Sequence, residues 1–116
     1  DYLLNPKKIN SPFMTIAFES TKLARKDLIA AIHPSDFTLR PQFVNKVSNP
    51  EYYNLIEEFE KKSGIGGLLN TSLNLHGEPV VGNIDDALHT FVESELDVLI
   101  IENIGVFRER KWLKKK

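Results

Sequence analysis

Leu69-Asn70-Thr71-Ser72-Leu73-Asn74-Leu75-His76-Gly77-Glu78-Pro79 is the stretch on which the reading of this chain turns. Within it stand two hydroxyls, two side-chain amides, a glycine and a proline. Upstream lies the apolar run Gly66-Gly67-Leu68-Leu69, which has the composition of a strand. Downstream, Val80-Val81-Gly82 leads to a helix start at Asn83. Polar groups buried without partners oppose folding, so a cluster this dense between apolar elements points to a ligand that satisfies them. Ser72 and Asn74, two apart, share one side of an extended segment and could together bind phosphate, ribose or carbonyl oxygens. Gly77 lets the backbone approach a ligand and Pro79 fixes the exit. The competing reading is local: Asn70, Thr71 and Asn74 cap turns, as such residues do in ordinary loops.

The flanking elements follow from periodicity. Asn83 caps a helix whose first turn carries Asp85 and Asp86, and whose apolar stripe is Ile84, Ala87, Leu88, Phe91 and Val92. Val98-Leu99-Ile100-Ile101 reads as a buried strand, with Gly105-Val106-Phe107 returning beside it after a turn at Asn103. On the other side, Ser48 and Asn49 precede Pro50 at the first helical position, and Glu51 stands where a capping box wants it. Tyr52, Leu55, Ile56 and Phe59 form that helix's apolar stripe, and Gly64 ends it. Residues 13–18 have strand composition, residues 22–31 suit a short helix, and His33-Pro34-Ser35-Asp36 is a turn. Residues 38–47 predict a strand with Arg40, Gln42 and Val44 on one face, at a sheet edge because of Pro41. Strand, helix, strand, helix, strand, strand predicts an α/β fold with a mixed sheet. Residues 1–12, with Asn5-Pro6 and Ser11-Pro12, read as an entry arm, residues 13–107 as the domain and residues 108–116 as a basic tail.

Four pieces of this sequence carry a family resemblance: Ser11-Pro12-Phe13-Met14, Arg40-Pro41-Gln42-x-Val44, Ser48-Asn49-Pro50-x-Tyr52-Tyr53, and Leu69 through Pro79 followed by Asp85-Asp86-Ala87-Leu88. In this order and spacing they resemble the C-terminal region of the O-carbamoyltransferases of nodulation and antibiotic tailoring. The Ser72-x-Asn74 segment also looks like the motif of YrdC-type threonylcarbamoyladenylate synthases. The resemblance implies a YrdC-like open twisted sheet, forming an incomplete lobe of a larger enzyme. It implies ATP with Mg and carbamoyl phosphate as ligands, joined into a carbamoyl adenylate. A second, N-terminal lobe, holding a metal ion, would pass the carbamoyl group to a hydroxyl-bearing small-molecule acceptor. Carried over by motif, Ser72 and Asn74 bind the nucleotide or adenylate, Arg40 pairs with phosphate, and Asn70 and Thr71 shape the pocket. His76, beside Gly77, is a further candidate contact; it stands where the family often has Arg.

The bulk sequence agrees with that chemistry. Forming a mixed anhydride from ATP needs charge stabilisation and placement more than acid–base groups. The chain has no cysteine, so it has no thiol nucleophile, disulfide or thiolate metal site, and it suits a reducing cytoplasmic compartment. His33, His76 and His89 are scattered and form no metal-ligand spacing. With 116 residues the chain has room for one core. No apolar run has the length of a membrane span. Beginning at Asp1 rather than Met, it is expected to be a piece of a longer protein and inactive alone. Residues 108–116 hold six basic side chains and one acidic, while the rest of the chain is acidic. A solvated tail explains that asymmetry, and an acidic body disfavours nucleic acid as a partner. A second copy of the chain, drawn by surface that the other lobe would cover, is a further candidate partner. The alternatives are a threonylcarbamoyladenylate synthase acting in tRNA modification, and a non-catalytic module binding RNA through its tail.

Overall fold

The computed structural model describes residues 1–109 and divides the chain into two compact units, the first Asp1–Asn70 and the second from Thr71 on. The first unit holds a three-stranded sheet of β1 (Leu3–Leu4), β2 (Phe18–Ser20) and β3 (Thr38–Leu39), with β2 in the middle. Both pairings are antiparallel, Leu3 opposite Ser20 and Phe18 opposite Leu39. The start of the chain, expected to be an arm, therefore supplies an edge strand. Helix α1 (Lys22–Asp27) follows β2, capped by the Thr21 hydroxyl, which accepts from the Ala24 N–H at 3.2 Å. A 3-10 turn, Ile29–Ala31, continues it. Arg25 secures this corner: its Nε donates to Ser20 Oγ at 3.0 Å and its guanidinium lies 4.4 Å over the Phe37 ring.

Helix α2 (Pro50–Ser63) forms where periodicity places it and ends at Gly64, which has φ +76°. Its cap is Asn49, whose Oδ1 accepts from the Tyr52 N–H at 3.1 Å; Ser48 instead belongs to the preceding Asn45 turn. Among the described residues the capping box expected from Ser48 and Glu51 does not form, because Pro50 occupies the first helical position and makes Asn49 the cap. On its outer face Lys61 Nζ bridges Glu58 at 2.7 Å and Glu57 at 3.2 Å.

Three expected strands differ. Residues 13–18 do not form one strand: Met14 has φ +59°, outside the β region, so only the last residue of the run enters β2. Residues 38–47 do not form one either; β3 stops after Leu39, and Pro41 lacks the N–H a ladder needs. The two broken segments still meet through an isolated bridge, Phe13 opposite Gln42. Residues 66–69 form no strand. A Cβ on Gly66 would stand 2.8 Å from Glu60 Oε1 and one on Gly67 3.3 Å from the Leu28 side chain. The glycines let this segment lie against α2 and the end of α1 instead of pairing.

In the second unit α3 (Ile84–Glu93) packs on a hairpin of β4 (Val98–Ile101) and β5 (Ile104–Phe107). Ala87, Phe91 and Leu99 form the core, flanked by Leu73, Val81, Ile101 and Val106. Asn83 caps α3 by accepting from the Asp86 N–H at 2.9 Å, and Asp86 reaches back to the Gly82 N–H at 3.0 Å. The tight turn through Glu102, at φ +52°, makes the hairpin antiparallel. Strands and helices thus mix as expected of an α/β fold. In place of one mixed sheet, however, the described residues form two small antiparallel ones.

Arg108 changes the picture of the tail. Its guanidinium donates to the Phe91 carbonyl, to the Ser94 carbonyl at 2.7 Å and, through Nε, to the Leu96 carbonyl at 3.0 Å. It also lies 5.1 Å over the Phe91 ring. A cation at the carbonyl end of α3 is favoured by the helix dipole. Arg108 is therefore part of the fold, and residues 110–116 of the expected tail lie outside the described residues. Among the described residues, no helix is long and apolar enough to cross a membrane.

Candidate functional site

The first unit contains a cavity of about 870 Å³, within the usual size range of small-molecule sites. Leu39 to Val44 form one side of its wall, Asn49 and the α2 residues Tyr52 and Tyr53 another, and Gly66 to Asn70 a third; Tyr2 and Met14 also line it. The path of residues 40–43 is fixed by two hydrogen bonds with residues 12–14, which together make the Phe13–Gln42 bridge. The Met14 N–H donates to the Pro41 carbonyl at 3.0 Å, and the Phe43 N–H donates to the Pro12 carbonyl at 3.1 Å. Pro41 has no hydrogen to give, but its carbonyl is the acceptor that anchors Met14.

Arg40 sits on this wall with its side chain exposed, and it has no hydrogen bond or ion pair among the described residues. Arg25 is held by Ser20 and Phe37 and Lys61 by Glu57 and Glu58, whereas Arg40 lines the cavity. A guanidinium left unpaired at a cavity is suited to bidentate capture of phosphate or carboxylate. Glu57 and Glu60 line the same cavity; Glu57 is neutralised by Lys61. Asn70 lines it as well, its Nδ2 3.9 Å from Met14 Sδ.

The remaining predicted residues belong to the second unit, where the loop is organised by its own bonds. The Val81 N–H donates to the Leu73 carbonyl at 3.1 Å and closes the loop at its base. Inside it the Glu78 N–H donates to the Leu75 carbonyl at 3.0 Å. Gly77 takes the third position of that turn with φ +87°, a conformation open to glycine without strain. A Cβ there would meet open space, so the glycine is needed for its backbone angle. Ser72 Oγ donates to Asn74 Oδ1 at 2.5 Å, and Asn74 Nδ2 donates to the Leu75 carbonyl at 3.0 Å and the Glu78 carbonyl at 2.9 Å. Ser72 and Asn74 do face each other, and both amide hydrogens of Asn74 are spent holding the loop. Among the described residues, the backbone N–H groups of residues 72–77 have no partner. Thr71 and His76 are exposed. His89 Nε2 lies 3.5 Å from Glu78 Oε1, tying α3 to the far limb of the loop, and His33 Nδ1 lies 3.3 Å from Asp36 in its turn.

Sequence reasoning quoted Ser11 to Met14 and Asn49 to Tyr53 for their resemblance without giving them a site role. The structure puts Met14, Asn49, Tyr52 and Tyr53 at the cavity with Arg40. The available signal was the presence of polar and aromatic side chains beside prolines in both pieces. What could not be read was the pairing of residue 13 with residue 42, a contact between distant segments.

Comparison with known proteins agrees with the motif pieces. The family described as carbamoyltransferase C-terminus matches residues 1–108. The nodulation protein NolO of Bradyrhizobium diazoefficiens is 37% identical over 86% of this chain, which spans 18% of that relative. An uncharacterized protein of Methanocaldococcus jannaschii is 43% identical over 89% of the chain, covering 20% of its own length. The 3'-hydroxymethylcephem-O-carbamoyltransferase of Streptomyces clavuligerus is 30% identical over 63% of the chain and 14% of its own length. The chain thus spans about a fifth or less of the relatives it matches. With cavity wall and loop both built from the matching segments, the chain belongs to the carbamoyltransferase C-terminus family.

Proposed function

We propose that this domain works as the C-terminal part of an O-carbamoyltransferase and holds the anionic groups of ATP and carbamoyl phosphate while a carbamoyl adenylate is made: water releases inorganic phosphate from carbamoyl phosphate to leave carbamate, and a carbamate oxygen displaces pyrophosphate from the α-phosphorus of ATP. The observation that carries the reading is Arg40, an unpaired guanidinium on the wall of a ligand-sized cavity. Arg40 pairs with phosphate oxygens, and its fixed fork orients them. Asn70 and Thr71 shape the approach. The loop of residues 72–77 offers backbone N–H donors, with Ser72 and Asn74 locking the shape that presents them. Each unit offers donors of its own, the Arg40 guanidinium in the first and backbone N–H groups in the second, and donors of this kind are what a charge-stabilising step needs. Mg arrives bound to the nucleotide. The remaining lobe of a longer polypeptide supplies its own metal and takes the carbamoyl group to the acceptor hydroxyl. A YrdC-like arrangement of the whole lobe and a cytoplasmic setting belong to the same proposal.

The alternative is a threonylcarbamoyladenylate synthase. Similarity to a nodulation protein and to a cephem O-carbamoyltransferase favours the first reading. The two separate by substrate. In the longer polypeptide, ATP-dependent release of pyrophosphate should require carbamoyl phosphate. Release that requires bicarbonate and threonine instead would overturn the proposal in favour of the synthase.

A further inference from the structure

We propose that Met14 is a positioning residue that holds Asn70 and the Arg40 segment together at the cavity wall. The inference rests on the reading of that cavity as the anion site. Met14 has φ +59°, a left-handed conformation that costs a side-chain-bearing residue free energy and persists only where its surroundings enforce it. Two contacts are made from this conformation. Its N–H donates to the Pro41 carbonyl at 3.0 Å, fixing the residue next to Arg40. Its sulfur accepts from Asn70 Nδ2 at 3.9 Å, across 56 positions of sequence. Pro41 can offer only a carbonyl, so the strand that would ordinarily align Arg40 is unavailable, and the strained methionine takes its place. A thioether is a weak acceptor on a flexible stem, which suits it to steadying an amide without competing for a ligand's anion.

Met14 is the single methionine of the chain, so its methyl group gives one NMR resonance. In the unaltered chain, the Met14 ε-methyl and the Asn70 side-chain amide should show a mutual nuclear Overhauser effect. Absence of that effect overturns the proposal, whatever any variant does. In Met14→Leu, which keeps bulk but removes the acceptor, the Asn70 amide protons should shift toward solvent values while α2 amide signals stay in place. Carbamoyl phosphate should bind about three- to tenfold more weakly, the size expected for one neutral hydrogen bond. Unchanged Asn70 signals, or unchanged affinity where the original chain does bind, overturn it. A chain that binds no carbamoyl phosphate but shows the Overhauser effect and the Asn70 shift keeps the Met14 contact and sinks only the anion-site reading.

Discussion

Among the described residues the Arg40 side chain makes no hydrogen bond or ion pair on which the fold depends. Arg25, Lys61 and Arg108 are all engaged by protein groups. Arg40→Ala should therefore change stability by less than about 0.5 kcal/mol, as exposed substitutions without partners do. Arg108→Ala should cost about 2 kcal/mol, since charge-assisted bonds to several carbonyls disappear; Arg108→Lys should not restore it, because an ammonium lacks the fork. Urea unfolding of the three variants checks both expectations. Asp36 gives a pH-dependent test in the first unit. The Thr38 N–H above all, then the Thr38 hydroxyl and the nearby His33, hold its carboxyl below its ordinary value. A carboxylate with a lowered folded value contributes stability that is present above its unfolded value and lost as pH falls through the folded one. The Thr38 amide resonance should accordingly titrate below the ordinary carboxylate range and lose its dependence on acid in Asp36→Asn.

At the scale of elements, what the sequence made legible was what local chemistry decides. Helices α2 and α3 and the β4–β5 hairpin follow from stripe, cap and turn, and they form where those signals lie. Asn83→Ala should destabilise α3 by about 1 kcal/mol, the usual worth of such a cap, read as a lower thermal midpoint for the second unit. The failures are all strands. Residues 13–18, 38–47 and 66–69 have strand composition, yet a strand exists only if a partner is in reach, and partners are chosen by distant residues. Pro41, lacking the N–H a ladder needs, and the left-handed Met14 stand where two of these strands fail. The candidate site follows the same division. Arg40, Asn70 and the loop residues were picked out by chemistry and motif, and the first two line one cavity. The aromatic wall of Tyr52 and Tyr53 and the Met14 link depend on contacts between segments and were not legible.

At the scale of the whole molecule, the chain is a small share of the relatives it resembles, at most about a fifth of their length. Among the described residues the buried hydrophobic ones are Phe18, Ala24, Ile32, Ala87, Phe91 and Leu99. Large apolar side chains such as Val47, Phe13, Ile100 and Phe107 are exposed. A chain that spans so small a share of its relatives should not complete a transfer reaction by itself. The isolated chain should release no pyrophosphate from ATP above background with carbamoyl phosphate present.

The central claim is that Arg40 makes this cavity an anion site, and NMR titration of the chain with carbamoyl phosphate and with ATP–Mg tests it most directly. The account predicts, at millimolar ligand, shifts at Arg40 and at Asn70 that are lost in Arg40→Ala with the rest of the spectrum intact. Shifts that persist in Arg40→Ala, or none at either ligand's millimolar concentration, would contradict it.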